Sequence, residues 1–161
     1  YQLALADLTL PDVAGLALVP IADAPRKLVI GWRRAYLEEV LPMPGEDFQM
    51  TAVKDITGYI ENDSHRVLCQ RDEPLAMTGF NAVLSEAVQN GGVYTPPDLR
   101  SRGLARAAVA LHLAEARDAG VQHAVLFAAS PQACKAYEAI GFKRTGTFTI
   151  LMYEQPQVIH G

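Results

Sequence analysis

The sequence predicts an α/β domain with a mixed, mostly antiparallel sheet, one parallel strand pair near its centre, and helices on its flanks. Three observations carry that reading. Residues 66–70 and 75–84 are rich in strand-forming side chains and are separated by the polar turn Arg71-Asp72-Glu73-Pro74, which predicts an antiparallel hairpin. Residues 87–95 and 123–128 read as strands on either side of an alanine-rich helical stretch, and that order makes a right-handed parallel crossover. Two further helical stretches precede the hairpin. With 161 residues and 50% hydrophobic side chains, a single domain over 1–161 with a sizeable core is expected.

In chain order, residues 1–22 open with apolar Leu3 and Leu5 at alternate positions and then run through Pro11, Gly15 and Pro20. A short strand followed by irregular structure is predicted there. Asp23-Ala24-Pro25 is a helix-start signal, and Leu28, Trp32, Ala35, Tyr36 and Val40 repeat at helical spacing up to Pro42, Pro44 and Gly45. Arg34 and Glu38 can pair on the outer side of this helix. A second helix is predicted over 46–61, with Phe48, Ala52, Ile56, Tyr59 and Ile60 on one face, and Asn62-Asp63-Ser64 ends it. Gly58 costs that helix roughly 1 kcal/mol relative to alanine.

After the hairpin, Asn90-Gly91 has the composition of a tight turn, but Val93-Tyr94-Thr95 leads directly into a cationic turn and leaves no room for a partner strand. A bulge is predicted instead, bending the strand and opening a gap beside its neighbour. The helix over 103–119 carries Leu104, Ala108 and Leu111 on one face and ends at Gly120, a suitable left-handed cap. The apolar run 123–128 has the character of a buried strand. Ser130-Pro131 supplies the N-cap and first turn of a last helix, with Ala133, Ala136, Tyr137 and Ile140 on one face and Gly141 as its stop. Residues 143–153 return as one strand or two, and the tail from Glu154 frays.

No run of about 18 apolar residues occurs, so no membrane-spanning helix is expected. Residues 1–21 are interrupted by Asp7, Pro11, Asp12 and Pro20 and follow no basic stretch, unlike a signal peptide. A cytoplasmic protein without a membrane partner is the expectation. Cys69 and Cys134 are too far apart to read as a metal or redox pair, and reduced thiols are expected. His65, His112, His123 and His160 show no ligand spacing, so no metal is expected. A net charge of −4 and pI near 5.5 argue against nucleic acid as the main partner. Arg100, Arg102 and Arg106 still form a local basic patch compatible with an anionic cofactor. The chain begins at Tyr1 rather than methionine, which leaves open that it is a piece of something longer.

The chemistry concentrates where Val93-Tyr94-Thr95-Pro96-Pro97 ends a strand and Arg100-Ser101-Arg102-Gly103-Leu104-Ala105 begins a helix. Neither proline can donate to a ladder, which stops the strand. The first N–H groups of a helix lack intrahelical partners and sit at its positive end, so arginines there make a seat for phosphate. Glycine lets a ligand approach the backbone closely. The chain contains neither a Gly-x-Gly-x-x-Gly dinucleotide fingerprint nor a Gly-Lys-Ser/Thr P-loop.

Arg100-x-x-Gly103-x-Ala105 resembles the acetyl-CoA signature of the GNAT superfamily of N-acetyltransferases, Gln or Arg, x, x, Gly, x, Gly or Ala. Downstream, the segment from Ser130-Pro131-Gln132-Ala133 through Tyr137-Glu138 to Gly141-Phe142 resembles the second signature, Asn-x-x-Ala-x-x-x-Tyr-Glu-x-x-Gly-Phe, with serine in place of the usual asparagine. The resemblance covers about residues 66–153. It implies a central splayed parallel pair, acetyl-CoA as co-substrate, and acetyl transfer to an amine of a small molecule or peptide. It assigns 1–62 to an N-terminal strand and acceptor-side helices, and 65–153 to the acetyl-CoA-binding core.

The resemblance further implies that backbone at Val93, Tyr94 and Thr95, with Ser130, holds the pantetheine arm. The turn Arg100, Ser101, Arg102, Gly103, Leu104 and Ala105 would hold the pyrophosphate, and Tyr137 would protonate the leaving thiolate. From periodicity alone Tyr137 reads as a core residue, since it shares a face with Ala133 and Ile140, and the resemblance reverses that reading. No base is assigned, because the bulged strand offers Gln89 and Asn90, with Glu86 only at its start. Glu38, Glu39, Glu46 and Asp47 could attract a cationic acceptor or form a solvated acidic face. No activated nucleophile is visible, so direct attack is expected rather than a covalent enzyme intermediate. A non-catalytic module that binds acyl-CoA is the competing class, and a homodimer is left open.

Overall fold

The structure, a computed structural model, describes residues 1–40, 47–128 and 130–149. Six strands, β1 Gln2–Ala4, β2 Leu16–Pro20, β3 His65–Gln70, β4 Glu73–Val83, β5 Ala87–Tyr94 and β6 His123–Leu126, form one sheet in the order β1-β6-β5-β4-β3-β2. β5 and β6 run parallel and every other neighbouring pair is antiparallel. The helices are α1 Arg26–Val40, α2 Phe48–Glu61, α3 Leu104–Asp118 and α4 Pro131–Glu138. This is the mixed sheet with one parallel pair that the sequence predicts.

The two sheet faces are covered by different helices. On one, Val29 and Trp32 of α1 and Ile56 of α2 pack with Val67, Cys69, Met77 and Tyr94. On the other, Val109, Ala110 and Leu113 of α3 pack with Val88, Ala124 and Leu126, joined by Tyr137 of α4 and by Ile140. Further along the same helix, Ala107 and Ala108 meet Leu68 and Ala76. The alanines let α3 lie close to the sheet, where each fully buried aliphatic side chain contributes about 1.5–3 kcal/mol.

Several local expectations hold. Arg34 and Glu38 pair at 3.4 Å. Asp47, expected inside the second helix, is instead its N-cap, its carboxylate accepting from the Met50 N–H at 2.9 Å. Gly120, at φ +98°, and Gly141, at φ +108°, follow α3 and α4 in the left-handed conformation that stops a helix. The bulge is present and one residue later than Asn90-Gly91. Met77 pairs with Tyr94 and Gly79 with Gly91, so three steps on β5 oppose two on β4, and Gly92 absorbs the extra residue at φ +62°.

Other elements differ from the sequence reading. Residues 16–20, expected to be irregular, form the edge strand β2, paired from Leu16↔Gln70 to Pro20↔Arg66. Its apolar run does not alternate, so only the β3 edge supplies its order. The hairpin turn is shorter than expected: Arg71 and Asp72 alone turn, at φ +49° and +67°, and Glu73 and Pro74 already belong to β4. A register shift beside Cys69 accommodates that proline. α1 buries Val29, Trp32 and Leu37, while Leu28 and Val40 are exposed. α3 buries residues 107–110, His112, Leu113 and Ala116, while Leu104 and Leu111 are half-buried.

β6 ends at Leu126 and alternates, with Ala124 and Leu126 buried and Val125 and Phe127 exposed, because helices cover only one of its faces. The expected C-terminal strand is reduced, within the described residues, to a bridge from Lys143 to Gln2. Gln2 also pairs with Val125, so β1 occupies the position beside β6. Pro42, Pro44, Gly45, Glu46, residues 150–153, the tail from Glu154 and His160 lie outside the described residues.

Two buried histidines predict acid sensitivity. His65 stacks on Tyr59 at 3.5 Å between ring centroids, and His112 stacks on Phe80 at 3.8 Å. Desolvation, with Arg33 and Arg66 near His65 and Arg66 near His112, lowers each imidazole pKa to about 3. The unfolded chain therefore binds more protons between that value and the ordinary 6.5. Stability is fully present above pH 6.5 and falls as pH drops toward 3, by about 1.4 kcal/mol per pH unit for each histidine. Urea midpoints between pH 6.5 and 5 should show this slope, and His112→Leu should reduce it by one histidine's share; an unchanged slope in that variant would refute the assignment.

Candidate functional site

The parallel ladder runs from Ala87↔His123 to Asn90↔Leu126 and stops there, while β5 continues to Tyr94. β6 ends at Leu126, so the last residues of β5 run on beyond their parallel partner. A cavity of about 800 Å³ lies at this end of β5, walled by the end of β5, the turn before α3, α4 and the C-terminal part of α1. Val93, Tyr94, Thr95, Arg100, Ser101, Gly103, Leu104, Ala105, Ser130 and Tyr137 all line it. Arg102 is the predicted site residue that does not, and its Nη2 donates to the Asp98 carbonyl at 3.0 Å.

The turn into α3 is shaped by two left-handed residues, Ser101 at φ +63° and Gly103 at φ +77°. Gly103 is the N-cap and brings no capping side chain, so the first N–H groups of a 15-residue helix are left to a ligand. Arg106 lines the same wall, and its buried Nε has no partner among the described residues. Thr95 is similar: 9% exposed, with its Oγ1 buried and unpartnered. The Thr95 carbonyl accepts from Arg100 Nε at 2.9 Å.

On the opposite wall, Ser130 caps α4, its Oγ accepting from the Ala133 N–H at 3.2 Å. Ala133 and Ala136 present a smooth apolar strip beside Tyr137. Tyr137 is 9% exposed, and its ring meets Phe142 edge-on at 6.1 Å. Burial, with a smaller contribution from Tyr36, raises the phenol pKa to about 12, so its proton stays on Oη across the neutral range. Tyr137 makes no hydrogen bond among the described residues, which leaves that proton free for a ligand in the cavity.

Of the acidic residues near the end of α1, Glu38 is paired with Arg34, Asp47 caps α2, and Glu39 reaches Arg100 at 2.7 Å. Among the described residues Glu39 is the one carboxylate that lines the cavity. Asn90 is buried, its Nδ2 donating to Thr78 Oγ1 at 3.2 Å and to the Gly79 carbonyl at 3.1 Å. Cys134 faces away from the cavity lining. Tyr36 and Gln132 line it without having been singled out as site residues. Tyr36 gave no signal beyond helical spacing, whereas Gln132 lies inside the second motif.

Among the described residues, no helix is long and apolar enough to cross a membrane, and no group of three or more His, Cys, Asp or Glu side chains is placed to hold a metal ion. No curated protein matches the chain. Of the solved structures similar to it, a predicted acetyltransferase from Clostridium acetobutylicum with acetyl-CoA superposes at TM-score 0.63 and 17% identity, over 85% of this chain and 94% of that one. A GCN5-related N-acetyltransferase from Ralstonia eutropha JMP134 superposes at 0.59 and 21%, over 85% and 97%. An aminoglycoside N-acetyltransferase in complex with CoA does so at 0.57 and 16%, over 86% and 93%. These likenesses establish the fold. The sequence model of the Acetyltransferase (GNAT) family matches residues 31–142, from within α1 to the stop of α4 and so through every wall of the cavity, and the chain belongs to that family.

Proposed function

We propose that this protein transfers an acetyl group from acetyl-CoA to an amine of a small molecule or peptide by direct attack. The observation that carries the reading is the convergence of two separate sequence motifs, Arg100 to Ala105 and Ser130 to Tyr137, on one cavity at the end of β5. The cavity's chemistry fits the cofactor. Free N–H groups and the Arg106 guanidinium suit its phosphates, the Val93, Ala133 and Ala136 surface suits a thin pantetheine arm, and Thr95 Oγ1 lacks a partner. Similar folds support the acceptor class: one aminoglycoside N-acetyltransferase is complexed with a CoA-acetylneamine bisubstrate analogue. The described elements are read as a single catalytic domain, with α1 and α2 on the acceptor side.

Acetyl-CoA supplies an activated thioester carbonyl. The acceptor amine, neutral when it attacks, forms the C–N bond as the C–S bond breaks, and its surplus proton leaves through water. Tyr137 Oη donates a hydrogen bond, and then its proton, to the departing sulfur. Backbone N–H groups beside the Gly92 bulge stabilise the carbonyl oxygen as it gains charge.

Acetyl-CoA should raise the melting temperature, because a ligand selective for the native state stabilises it by about 2.7 kcal/mol at a hundredfold excess over Kd. No shift at saturation would refute the reading. A second reading, an acyl-CoA-binding regulatory module, draws on the lack of an unpaired carboxylate among the described cavity residues. A CoA-release assay across amines separates the two, since binding without turnover on any amine favours the module.

A further inference from the structure

Arg100 stands at the mouth of the cavity, where a guanidinium is the obvious partner for a phosphate. Its hydrogen bonds go elsewhere. Nε donates to the Thr95 carbonyl at 2.9 Å, and Nη2 donates to both carboxylate oxygens of Glu39, at 2.7 and 2.9 Å. Its Cζ also lies 5.7 Å from the centroid of the Tyr94 ring, which packs 6.2 Å from Trp32 of α1. One side chain therefore ties the end of β5, the turn before α3 and the last turn of α1 together. The turn needs such a tie: Ser101 directly follows Arg100 and holds a left-handed φ of +63°, a conformation that strains a non-glycine residue.

We propose that Arg100 is a positioning residue rather than a phosphate ligand, and that Glu39 is its working partner. The pair clamps the turn against α1 in the geometry that presents the Gly103, Leu104 and Ala105 N–H groups to the pyrophosphate. Arg106, lining the same wall with its Nε unpartnered, supplies the side-chain charge instead. This rests on the cavity being the acetyl-CoA site.

The decisive variant is Glu39→Gln, because the two roles predict opposite signs. If Arg100 binds phosphate, removing the carboxylate releases the guanidinium and takes a negative charge away from a polyanion, so acetyl-CoA binds more tightly. If Arg100 positions the turn, the clamp is lost and binding weakens, by about 3- to 10-fold for a half-exposed pair. Arg100→Lys keeps the charge but cannot reach both partners, so the clamp predicts a comparable loss. The double variant should be no worse than the weaker single, as expected of residues acting as a unit.

Calorimetric titration with acetyl-CoA reads the affinities, and steady-state kinetics should place the defect in KM for acetyl-CoA rather than in kcat. The pair is half-exposed and the replacement isosteric, so the ligand-free melting temperature should hold. Glu39→Gln binding as tightly as wild type, or more tightly, overturns the clamp. Wild-type protein that does not bind acetyl-CoA overturns the cavity assignment beneath it.

Discussion

Replacing Gly103 with glutamate is expected to abolish detectable acetyl-CoA binding while the domain stays folded. Gly103 is the N-cap of α3 at φ +77°, and a Cβ built there meets nothing nearer than Arg106 Nη2 at 3.4 Å. The conformational cost to a side chain is about 1–2 kcal/mol, which a domain of ordinary stability survives. The ligand site does not survive it. The carboxylate would lie where phosphate oxygens must meet the helix N-terminus, and it would pair with Arg106, taking over the cation meant for the cofactor. Gly103→Ala carries the same backbone strain without the charge and should lose far less affinity. Arg102→Ala should be milder still, since that side chain points to the Asp98 carbonyl. Calorimetry with acetyl-CoA measures all three, and wild-type affinity in Gly103→Glu would place the phosphates elsewhere.

For Tyr137→Phe the expected result is a fall in kcat of roughly 10²–10⁴-fold with little change in acetyl-CoA affinity. Phenylalanine keeps the ring and its edge contact with Phe142, so packing around Ile140 is nearly preserved. What disappears is the hydroxyl proton of Tyr137, which has no hydrogen-bond partner among the described residues. The phenol's pKa of about 12 keeps the donor form populated and also makes it a weak acid, so the smaller end of the range applies if water substitutes. Single-turnover rates with a good acceptor amine make chemistry visible. Unchanged rates would remove Tyr137 from the acid role, and joint loss of stability and cofactor affinity would make it a core residue.

Much of this molecule is local in origin and so was legible in the sequence. Ser130, Gly120 and Gly141 act within one helical turn of themselves, and their roles as cap and stops follow from side-chain reach and permitted φ alone. The β3–β4 hairpin and the β5–α3–β6 crossover are likewise written in adjacent residues, as are both motifs that meet at the cavity.

What tertiary structure alone decided concerns partners distant in the chain. β2 exists because β3 offers it an edge, and β6 alternates because helices cover one face and not the other. α1 is turned slightly from its expected face: Trp32, Ala35 and Tyr36 pack on the core as expected, while Val29 and Leu37 are buried in place of Leu28 and Val40, since packing against α2 and the sheet outweighs a periodicity that several frames satisfy equally. The bulge falls at Gly92 rather than Gly91 because its register is set by pairing with Met77 and Gly79 on β4. Glu39 and Arg100 are 61 positions apart, and nothing near either residue announces the other. Side chains that act on their own backbone are readable one turn at a time, whereas ion pairs, sheet edges and cavity walls form only once the chain has folded back on itself.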